Sequence, residues 1–391
     1  MPETKLNILV LCYEYPPIGG GGGVGAKQYA EAWAEAGHKV TVLTSWDKGL
    51  QRRERLQGVE LIRVPTFGKK NRATATNLSM LSYLAFGFVY LTSHFSDFRK
   101  IVAINTHFSI PTGPLGMVAS KLFALPNVLT IIGGDIYDPT KRHSPHRSAV
   151  LRFFNRMIIN SATHVVAISS DTKMRAEEHY KIKKEISVIN YGFPPPERTN
   201  VNRSELGLSE QKYYLIAVGR LVRRKGFEYL IASLRDLPSE IQLLIIGDGP
   251  LEQELRSIAS RAGVSDRVSL LGYQTRERIW EYLQVSDCYV LSSLHEGLGI
   301  VVQEAMCAGL PIVSSDNGGQ VDLIHHGRNG VLVKPMDPQA LSSAIKEIYS
   351  HPEMAAEMRR NNMNDIKRCY IAENCEEYIK LFHLGARGAS S

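Results

Sequence analysis

The feature that most constrains this chain is a series of short apolar segments, each followed by a stretch with helical periodicity, which occurs twice. The first series predicts strands at Leu6–Leu11, Val40–Leu43, Val59–Val64, Ile101–Asn105, Val128–Ile132, His164–Ile168 and Ile186–Ile189. The second series predicts strands at Tyr214–Val218, Gln242–Ile246, Val268–Leu270, Cys288–Leu291, Pro311–Val313 and Gly330–Val333. Strands that are apolar throughout and separated by helices are typical of a parallel sheet covered on both faces. The sequence therefore predicts an α/β protein with two doubly wound, Rossmann-like domains.

A proline run marks the boundary between the two series. Pro194–Pro196 precede a polar stretch, Glu197–Ser204, and together they are typical of a stiff hinge. We predict a first domain at 1–195 and a second at 200–373, with a helix at 374–391 that packs back on the first domain. Ligands of open α/β sheets bind outside the carboxyl ends of the strands. We therefore expect the domains to face each other across a cleft that holds the site.

Composition excludes several classes of protein. The 391 residues are 44% hydrophobic and 22% charged, which is ordinary for a globular chain and excludes a disordered or fibrous one. Five cysteines without a CxxC pair, and no signal peptide, indicate a cytoplasmic protein without a disulfide framework or zinc site. The net charge of +7 favours anionic partners, but no tail concentrates it, so we do not expect nucleic acid.

A glycine-rich loop, Gly19–Gly23, separates the first predicted strand from a predicted helix at Val24–Ala36. Bare backbone N–H groups at a helix N-terminus can approach an anion, so Gly20 and Gly21 are expected to contact one. A dinucleotide fingerprint is excluded because Glu14–Pro17 separate the strand from the glycines.

A run of cations follows the first strand of the second domain. Arg220, Arg223, Arg224 and Lys225 would lie at the start of a helix, where the macrodipole disfavours positive charge. A highly charged anion such as a diphosphate would relieve this conflict, with arginine and lysine neutralising the leaving group.

Two carboxylates lie near a loop that enters an apolar helix: Glu296 is expected at the mouth of the loop, and Glu304 in the helix, about two turns along. Carboxylates accept hydrogen bonds from vicinal hydroxyls, so this pair suits a sugar or a ribose. The expected backbone contacts to the same ligand come from glycines that follow apolar strands and from the helix start: Gly219, Gly247, Gly299, Ile300 and Val301.

These motifs resemble those of retaining family four glycosyltransferases, which have the two-domain GT-B fold, over almost the whole chain. The resemblance is carried by Pro16–Gly21, Gly37–Val40, Val218–Arg220 with Lys225-Gly226, Ile246–Leu251, Glu296-x7-Glu304, Gly309–Pro311 and Gly318-Gly319.

The resemblance implies a role for each candidate residue. Arg220 and Lys225 would hold the diphosphate of a nucleotide sugar, and Gly20 and Gly21 would close over it. Glu304 would bind the ribose. Glu296, with the backbone that follows it, would hold the donor sugar, which makes Arg220, Lys225 and Glu296 the catalytic set. No cofactor or metal is implied, since the chain lacks Asp-x-Asp and the cations supply the charge.

The chain departs from the family where a histidine is usual, because Ile132 stands at that position. His107 and Asp135 are the residues that could replace this contact to the sugar or the acceptor.

The function that follows is retaining transfer of a hexose from a nucleoside-diphosphate sugar to an acceptor hydroxyl. The acceptor would be a saccharide or a lipid-linked saccharide, in polysaccharide or glycolipid synthesis. A nucleotide-sugar 2-epimerase and a non-catalytic sugar-nucleotide-binding protein are the alternatives, and the Glu-x7-Glu pattern argues against the epimerase.

An uncharged stretch, Ala73–Ser96, raises the question of a membrane. Its strongly apolar part is shorter than the ~20 residues that a spanning helix needs, so it is a buried helix or an interfacial one. Nearby cations could bind anionic headgroups: Arg52, Arg53, Lys69, Lys70 and Arg72. We therefore expect reversible, peripheral attachment to the inner face of the cytoplasmic membrane.

Overall fold

The computed structural model describes residues 5–69, 72, 75–142, 144–194 and 199–388. The chain forms two compact units. Unit 1 comprises Met1–Pro194 and Cys369–Ser391, and unit 2 comprises Pro195–Arg368. Four residues of the expected hinge, 195–198, lie outside the described residues.

Unit 1 is built on an eight-stranded sheet in the order β3-β4-β2-β1-β5-β6-β7-β8. All neighbouring strands are parallel except the β3–β4 pair at one edge. Its elements are β1 (Asn7–Cys12), α1 (Gly21–Glu35), β2 (Lys39–Ser45), β3 (Arg53–Leu56), β4 (Val59–Val64), α2 (Asn77–Ser93), β5 (Ala103–His107), α3 (Gly113–Phe123), β6 (Asn127–Ile131), α4 (Ala149–Ser161), β7 (His164–Ala167), α5 (Ser170–Tyr180) and β8 (Ile186–Val188).

Unit 2 is built on a six-stranded parallel sheet in the order β11-β10-β9-β12-β13-β14. Its elements are β9 (Tyr213–Val218), α6 (Phe227–Ser233), β10 (Ile241–Ile246), α7 (Glu252–Arg261), β11 (Val268–Leu270), α8 (Arg276–Val285), β12 (Cys288–Leu291), α9 (Ile300–Cys307), β13 (Ile312–Ser315), β14 (Gly330–Val333), α10 (Pro338–Ser350) and α11 (Pro352–Asp365). The strand order reverses between β9 and β12, which makes their carboxyl ends the switch point of this sheet.

The prediction of two doubly wound parallel sheets is confirmed. Every predicted strand is present, because buried parallel strands carry apolar residues on both faces. The strand that sequence reasoning missed is β3, whose residues are Arg53, Glu54, Arg55 and Leu56. None of the four is buried, so this antiparallel edge strand has no apolar pattern by which it could be recognised.

The last helix, α12 (Ile371–Gly388), belongs to unit 1 and packs against α1. The ring centroid of Trp33 lies 5.7 Å from that of Tyr378 and 5.5 Å from that of Phe382. All three side chains are at most 2% exposed. The chain therefore leaves unit 1, forms unit 2 and returns to complete the core of unit 1.

Helix α2 is only partly buried, whereas the sequence allowed either a buried helix or an interfacial one. Its Leu78 and Leu81 are 59% and 64% exposed, whereas Ser79 and Ser82 face inward and are buried. The small Gly87 lets the helix approach α3, since a Cβ there would lie 2.7 Å from Leu115. None of the described helices combines the length and apolar character needed to cross a membrane.

The described cations among those expected to face lipid headgroups also make contacts within the protein. The Lys69 ammonium donates to the Ser45 hydroxyl at 2.8 Å and, because of burial, its pKa falls to about 8. Arg72 pairs with Asp47 at 3.2 Å, and Arg53 pairs with Glu60. Arg52 stacks over Trp46 at 3.9 Å. Arg52, Arg53 and Arg72 are nevertheless exposed, and Lys70 lies outside the described residues.

Candidate active site

The predicted site residues of unit 2 follow the carboxyl ends of β9, β10 and β12. Gly219 and Gly247 let the first two of these loops touch. A Cβ on Gly247, where φ is +138°, would lie 2.0 Å from the carbonyl oxygen of Gly219. A Cβ on Gly219 would lie 2.7 Å from Cε of Lys225. Both positions therefore need glycine, and the second makes room for the lysine.

Four side chains from two loops form a group that we call the Glu296 cluster: Glu296, Lys225, Arg224 and Ser293. Lys225 Nζ lies 2.6 Å from Oε1 of Glu296, and Arg224 Nη1 lies 3.1 Å from Oε2. The Ser293 hydroxyl donates to Oε1 at 2.7 Å. Glu296, Lys225 and Ser293 are buried, whereas Arg224 is half-buried. The cluster joins the loop after β9 to the loop after β12.

The cluster brings two cations to one carboxylate. Burial raises the pKa of Glu296, but Lys225 and Arg224 outweigh burial and hold it at about 2. Burial lowers the pKa of Lys225, and Glu296 opposes this change. The carboxylate is therefore ionised at neutral pH and faces two cations. Arg220, exposed at the start of the same loop, adds a third positive charge, which also lowers the pKa of Lys225.

The backbone of the Glu296 loop is fixed from two sides. Gly319 N–H donates to the Glu296 carbonyl at 2.8 Å. Gly318 has φ +83°, and a Cβ there would lie 2.7 Å from the same carbonyl oxygen. Arg224 donates to the carbonyl of His295 at 2.7 Å. The Gly318-Gly319 pair thus holds the loop that carries Glu296.

Helix α9 brings the second carboxylate to the same edge of the sheet. Gly299, with φ +88°, immediately precedes the helix, and Ile300 and Val301 form its first turn, whose amides have no acceptor within the helix. Glu304 is the fifth residue of α9, nearer the helix start than the two turns that the sequence suggested. Arg276 Nε donates to Oε1 of Glu304 at 3.2 Å. Burial raises the pKa of this carboxyl, and Arg276 opposes the rise.

The four cations do not lie at a helix N-terminus, which corrects the sequence prediction. Arg223–Lys225 form a 3-10 turn, and α6 begins only at Phe227. Arg223 is exposed and pairs with Glu254 at 3.1 Å. Sequence reasoning did not identify Arg224 or Ser293 as partners of Glu296, because a run of cations does not indicate which of them turns inward.

In unit 1 most of the glycine run is helical, which corrects the expectation of a five-glycine loop. Helix α1 begins at Gly21, so Gly19 and Gly20 alone of the run precede it. A Cβ on Gly23 would lie 2.7 Å from the Glu14 carbonyl oxygen, and one on Gly25 would lie 2.4 Å from the Tyr191 ring. These glycines are needed for close packing, whereas Gly20 and Gly21 are exposed. The Gly20 amide donates to Oε2 of Glu14 at 3.0 Å.

His107 and Asp135, the two candidates for the missing contact, are both buried and hydrogen-bonded within unit 1. His107 is fully buried, its Nδ1 lies 2.9 Å from the Tyr191 hydroxyl, and burial lowers its pKa to about 3. Asp135 accepts hydrogen bonds from the amides of Ser109 at 2.6 Å and Ile132 at 2.9 Å. Its carboxylate holds the turn after β6, while the neutral imidazole lies in the core.

Ile132, where the histidine was expected, lies beside the start of α1. Its Cγ2 would be 3.2 Å from a Cβ on Gly22, and the side chain is half-exposed. Within the described part of the chain, no three side chains of His, Cys, Asp or Glu are grouped to hold a metal ion.

Two family models match the chain, one in each unit. Residues 19–195 match "Glycosyltransferase Family 4", and residues 199–365 match "Glycosyl transferases group 1". A similar curated protein is an uncharacterized glycosyltransferase from Methanocaldococcus jannaschii, which is 26% identical over 97% of this chain and 98% of its own length.

Solved structures share the fold over nearly the whole of each chain. Sucrose-phosphate synthase from Thermosynechococcus elongatus has a TM-score of 0.85 at 21% identity and covers 99% of this chain and 100% of its own. HepE from Anabaena, solved with UDP and glucose, has a TM-score of 0.78 at 21% identity and covers 96% of this chain and 98% of its own.

Proposed function

This chain belongs to glycosyltransferase family 4 and has the GT-B fold, and from this premise we propose that it is a retaining hexosyltransferase. It takes the hexose from a nucleoside-diphosphate sugar and transfers it to a hydroxyl of a saccharide or lipid-linked acceptor, in polysaccharide or glycolipid synthesis. The observation that carries the proposal is the Glu296 cluster, which gathers Lys225 and Arg224 around one carboxylate at the switch point of the unit 2 sheet.

The diphosphate binds to the cations after β9. Lys225 and Arg224 both pair with Glu296, and Arg220 is exposed in the same loop, so three cations lie together after β9. A diphosphate brings negative charge to them, and arginine and lysine are the side chains that bind phosphate oxygens. That HepE was solved with UDP supports a nucleoside diphosphate here.

The nucleoside and sugar lie toward α9. Glu304 is in the second turn of that helix and accepts hydrogen bonds from the ribose hydroxyls. The amides at Gly299–Val301 face the donor sugar at the positive end of the helix. Glu296, whose two oxygens are already bonded within its cluster, keeps Lys225 and Arg224 in place and presents the backbone that follows it.

The reaction proceeds on one face of the sugar, without an enzyme nucleophile. The bond from the anomeric carbon to the diphosphate oxygen breaks, and the acceptor oxygen bonds to the same face of that carbon. The acceptor proton passes to the departing phosphate oxygen, whose charge Arg220 and Lys225 stabilise. Positively charged groups held in place before the reaction commonly provide this stabilisation. We propose that these cations also make the reaction independent of a metal.

The test begins with a panel of nucleotide sugars. A donor at 100 times its dissociation constant stabilises the protein by about 2.7 kcal/mol, so the correct donor is found from the rise in melting temperature. Product analysis with that donor and candidate acceptors then measures turnover. We expect turnover to persist in excess EDTA, and loss that Mg²⁺ or Mn²⁺ restores would contradict a metal-independent reaction.

Two substitutions test the diphosphate site. Arg220→Ala changes an exposed residue, and combined with Lys225→Ala it should lower the rate by at least about 10²–10³-fold. Arg223→Ala is the matched control, because Arg223 lies in the same loop but pairs with Glu254. Thermal unfolding checks that each variant is folded. If the double variant keeps more than about a tenth of the wild-type rate, the diphosphate assignment is wrong.

The same product analysis separates the alternatives. An epimerised nucleotide sugar formed without acceptor would identify a 2-epimerase, and binding without any product would identify a binding protein.

A further inference from the structure

Helix α4 carries an exposed apolar stripe that none of the assignments above uses. Val150, Phe153, Phe154 and Met157 are 63%, 64%, 45% and 38% exposed. Their spacing of three, four and seven residues places them on one side of the helix. The side that packs against unit 1 is formed by Asn155, Ile158 and Ile159, which are buried.

Positive charge surrounds this stripe. Residues 139–170 contain no Asp or Glu, but they contain Lys141, Arg142, Arg147, Arg152 and Arg156. Arg147 and Arg152 donate to the carbonyls of Pro139 and His146, at 2.9 and 2.8 Å. Of the carboxylates that the structure describes, none lies at ion-pair distance from Arg147, Arg152 or Arg156, whereas Lys141 pairs with Asp138 at 3.4 Å. We call the four apolar side chains with Arg152 and Arg156 the α4 surface.

We propose that the α4 surface docks on an anionic lipid bilayer. Exposed phenylalanines on a helix that lies in the membrane plane bury their rings among the acyl chains, while flanking arginines reach the lipid phosphates. Each cation near an anionic membrane adds to the attraction, so the arginines and the apolar side chains of the α4 surface both contribute to binding.

The charges also argue against a second copy of this chain as the occupant. A twofold dimer would place the same patch against itself. Arg152 and Arg156 would then face their own equivalents, and like charges at an interface are repelled. Helix α2 provides the contrast, because Leu78 and Leu81 are just as exposed but α2 carries no charged residue. The arginines on α4 are complementary in charge to an anionic bilayer, whereas α2 offers no charge of its own, so we assign the bilayer contact to α4.

The position of α4 relates the bilayer to the reaction, a relation that rests on the proposed function. The helix follows the loop that leaves the carboxyl end of β6, so its first turn lies toward the edge where Ile132 is placed. A docked bilayer would bring a lipid-linked acceptor to that edge of unit 1.

Vesicle co-sedimentation of the full chain tests the docking itself, without any assay of turnover. Vesicles of phosphatidylcholine with phosphatidylglycerol should bind the protein in a salt-sensitive manner, and vesicles of phosphatidylcholine alone should not. Phe153→Ser with Phe154→Ser should weaken binding by about tenfold or more. Leu78→Ser with Leu81→Ser, the matched change on α2, should leave binding unchanged.

The electrostatic part has its own pair of variants. Arg152→Gln with Arg156→Gln should also weaken binding by about tenfold, while Arg235→Gln with Arg261→Gln, two exposed arginines of unit 2, should not. The conservative substitution Phe153→Trp keeps an aromatic side chain at this position and adds a fluorescent probe. The emission of this tryptophan should shift to the blue when the protein binds anionic vesicles.

The proposal is overturned if anionic and neutral vesicles bind equally, or if the α2 variant loses as much binding as the α4 variant. A second outcome also overturns it: no vesicle binds the protein, and sedimentation velocity shows a dimer that dissociates when Phe153 and Phe154 are changed to serine.

Discussion

Glu296 stays ionised inside unit 2 because Lys225 and Arg224 face it. His107 is equally buried inside unit 1, but the group beside its Nδ1 is the uncharged hydroxyl of Tyr191, and burial keeps the imidazole neutral. The sequence identified both residues as candidates at the carboxyl edges of their sheets, where His107 ends β5 and Glu296 follows β12. It did not distinguish an ion-paired carboxylate from a core imidazole, because that difference depends on which side chains of distant segments face them.

The buried imidazole predicts a pH dependence of stability. The pKa of His107 is about 3 in the folded protein, below its ordinary value near 6.5. As pH falls from about 6.5 to 3, the unfolded chain binds a proton that the folded one does not. The contribution of His107 to the free energy of unfolding is therefore fully present above pH 6.5 and is lost at about 1.4 kcal/mol per pH unit as the pH falls through this window.

Urea unfolding at several pH values measures this loss. His107→Gln should remove that part of the decline, so its curve should be flatter than the wild-type curve between about pH 6 and 3.5. His383→Gln, a change at an exposed histidine, serves as the control. Parallel curves for wild type and His107→Gln would show that the imidazole is protonated in the folded state.

At the scale of elements, α1 shows how a glycine run can be misinterpreted. Consecutive glycines predict a loop because glycine is a poor helix former. In the structure the helix starts inside the run, at Gly21. Three of its glycines face neighbours so closely that a Cβ would clash: Gly22 faces Phe108, Gly23 faces Glu14 and Gly25 faces Tyr191. Tertiary packing outweighs propensity here, because any larger residue would separate α1 from the strand ends.

This packing predicts opposite results for two similar substitutions. Gly25→Ala places a Cβ 2.4 Å from the Tyr191 ring and should lower the free energy of unfolding by about 1–2 kcal/mol, despite the better helix propensity of alanine. Gly20→Ala meets no atom within 4 Å and should change stability by less than about 0.5 kcal/mol. Chemical denaturation measures both, and a stabilised Gly25→Ala variant would contradict the close contact.

At the scale of the whole molecule, the chain crosses between its units twice. Unit 1 is incomplete until α12 covers α1, because Trp33, Tyr378 and Phe382 are buried only together. Burying a large aromatic side chain contributes about 1.5–3 kcal/mol, so this helix accounts for a substantial part of the stability of unit 1.

Truncation after Tyr370 tests this dependence. We expect hydrogen exchange to increase in α1 and in the central strands β1 and β5, while the strands of unit 2 keep their protection. Removal of residues 389–391 is the control and should leave both units unchanged. Equal loss of protection in β9 and β12 would show that the two units do not unfold separately.

The sequence by itself determined the fold class, the two series of strands and the residues gathered at the strand ends. These follow from local patterns, because burial on both faces of a parallel sheet requires apolar strands and tight turns require glycine. Only the tertiary structure decided which cations meet Glu296 and that His107 and Asp135 lie in the interior of unit 1. It also decided that the apolar side chains of α4 that lie beside Arg152 and Arg156 are exposed. Those outcomes depend on contacts between segments far apart in the chain, such as Lys225 with Glu296, and on which side of a helix its neighbours cover. Periodicity and composition do not carry that information.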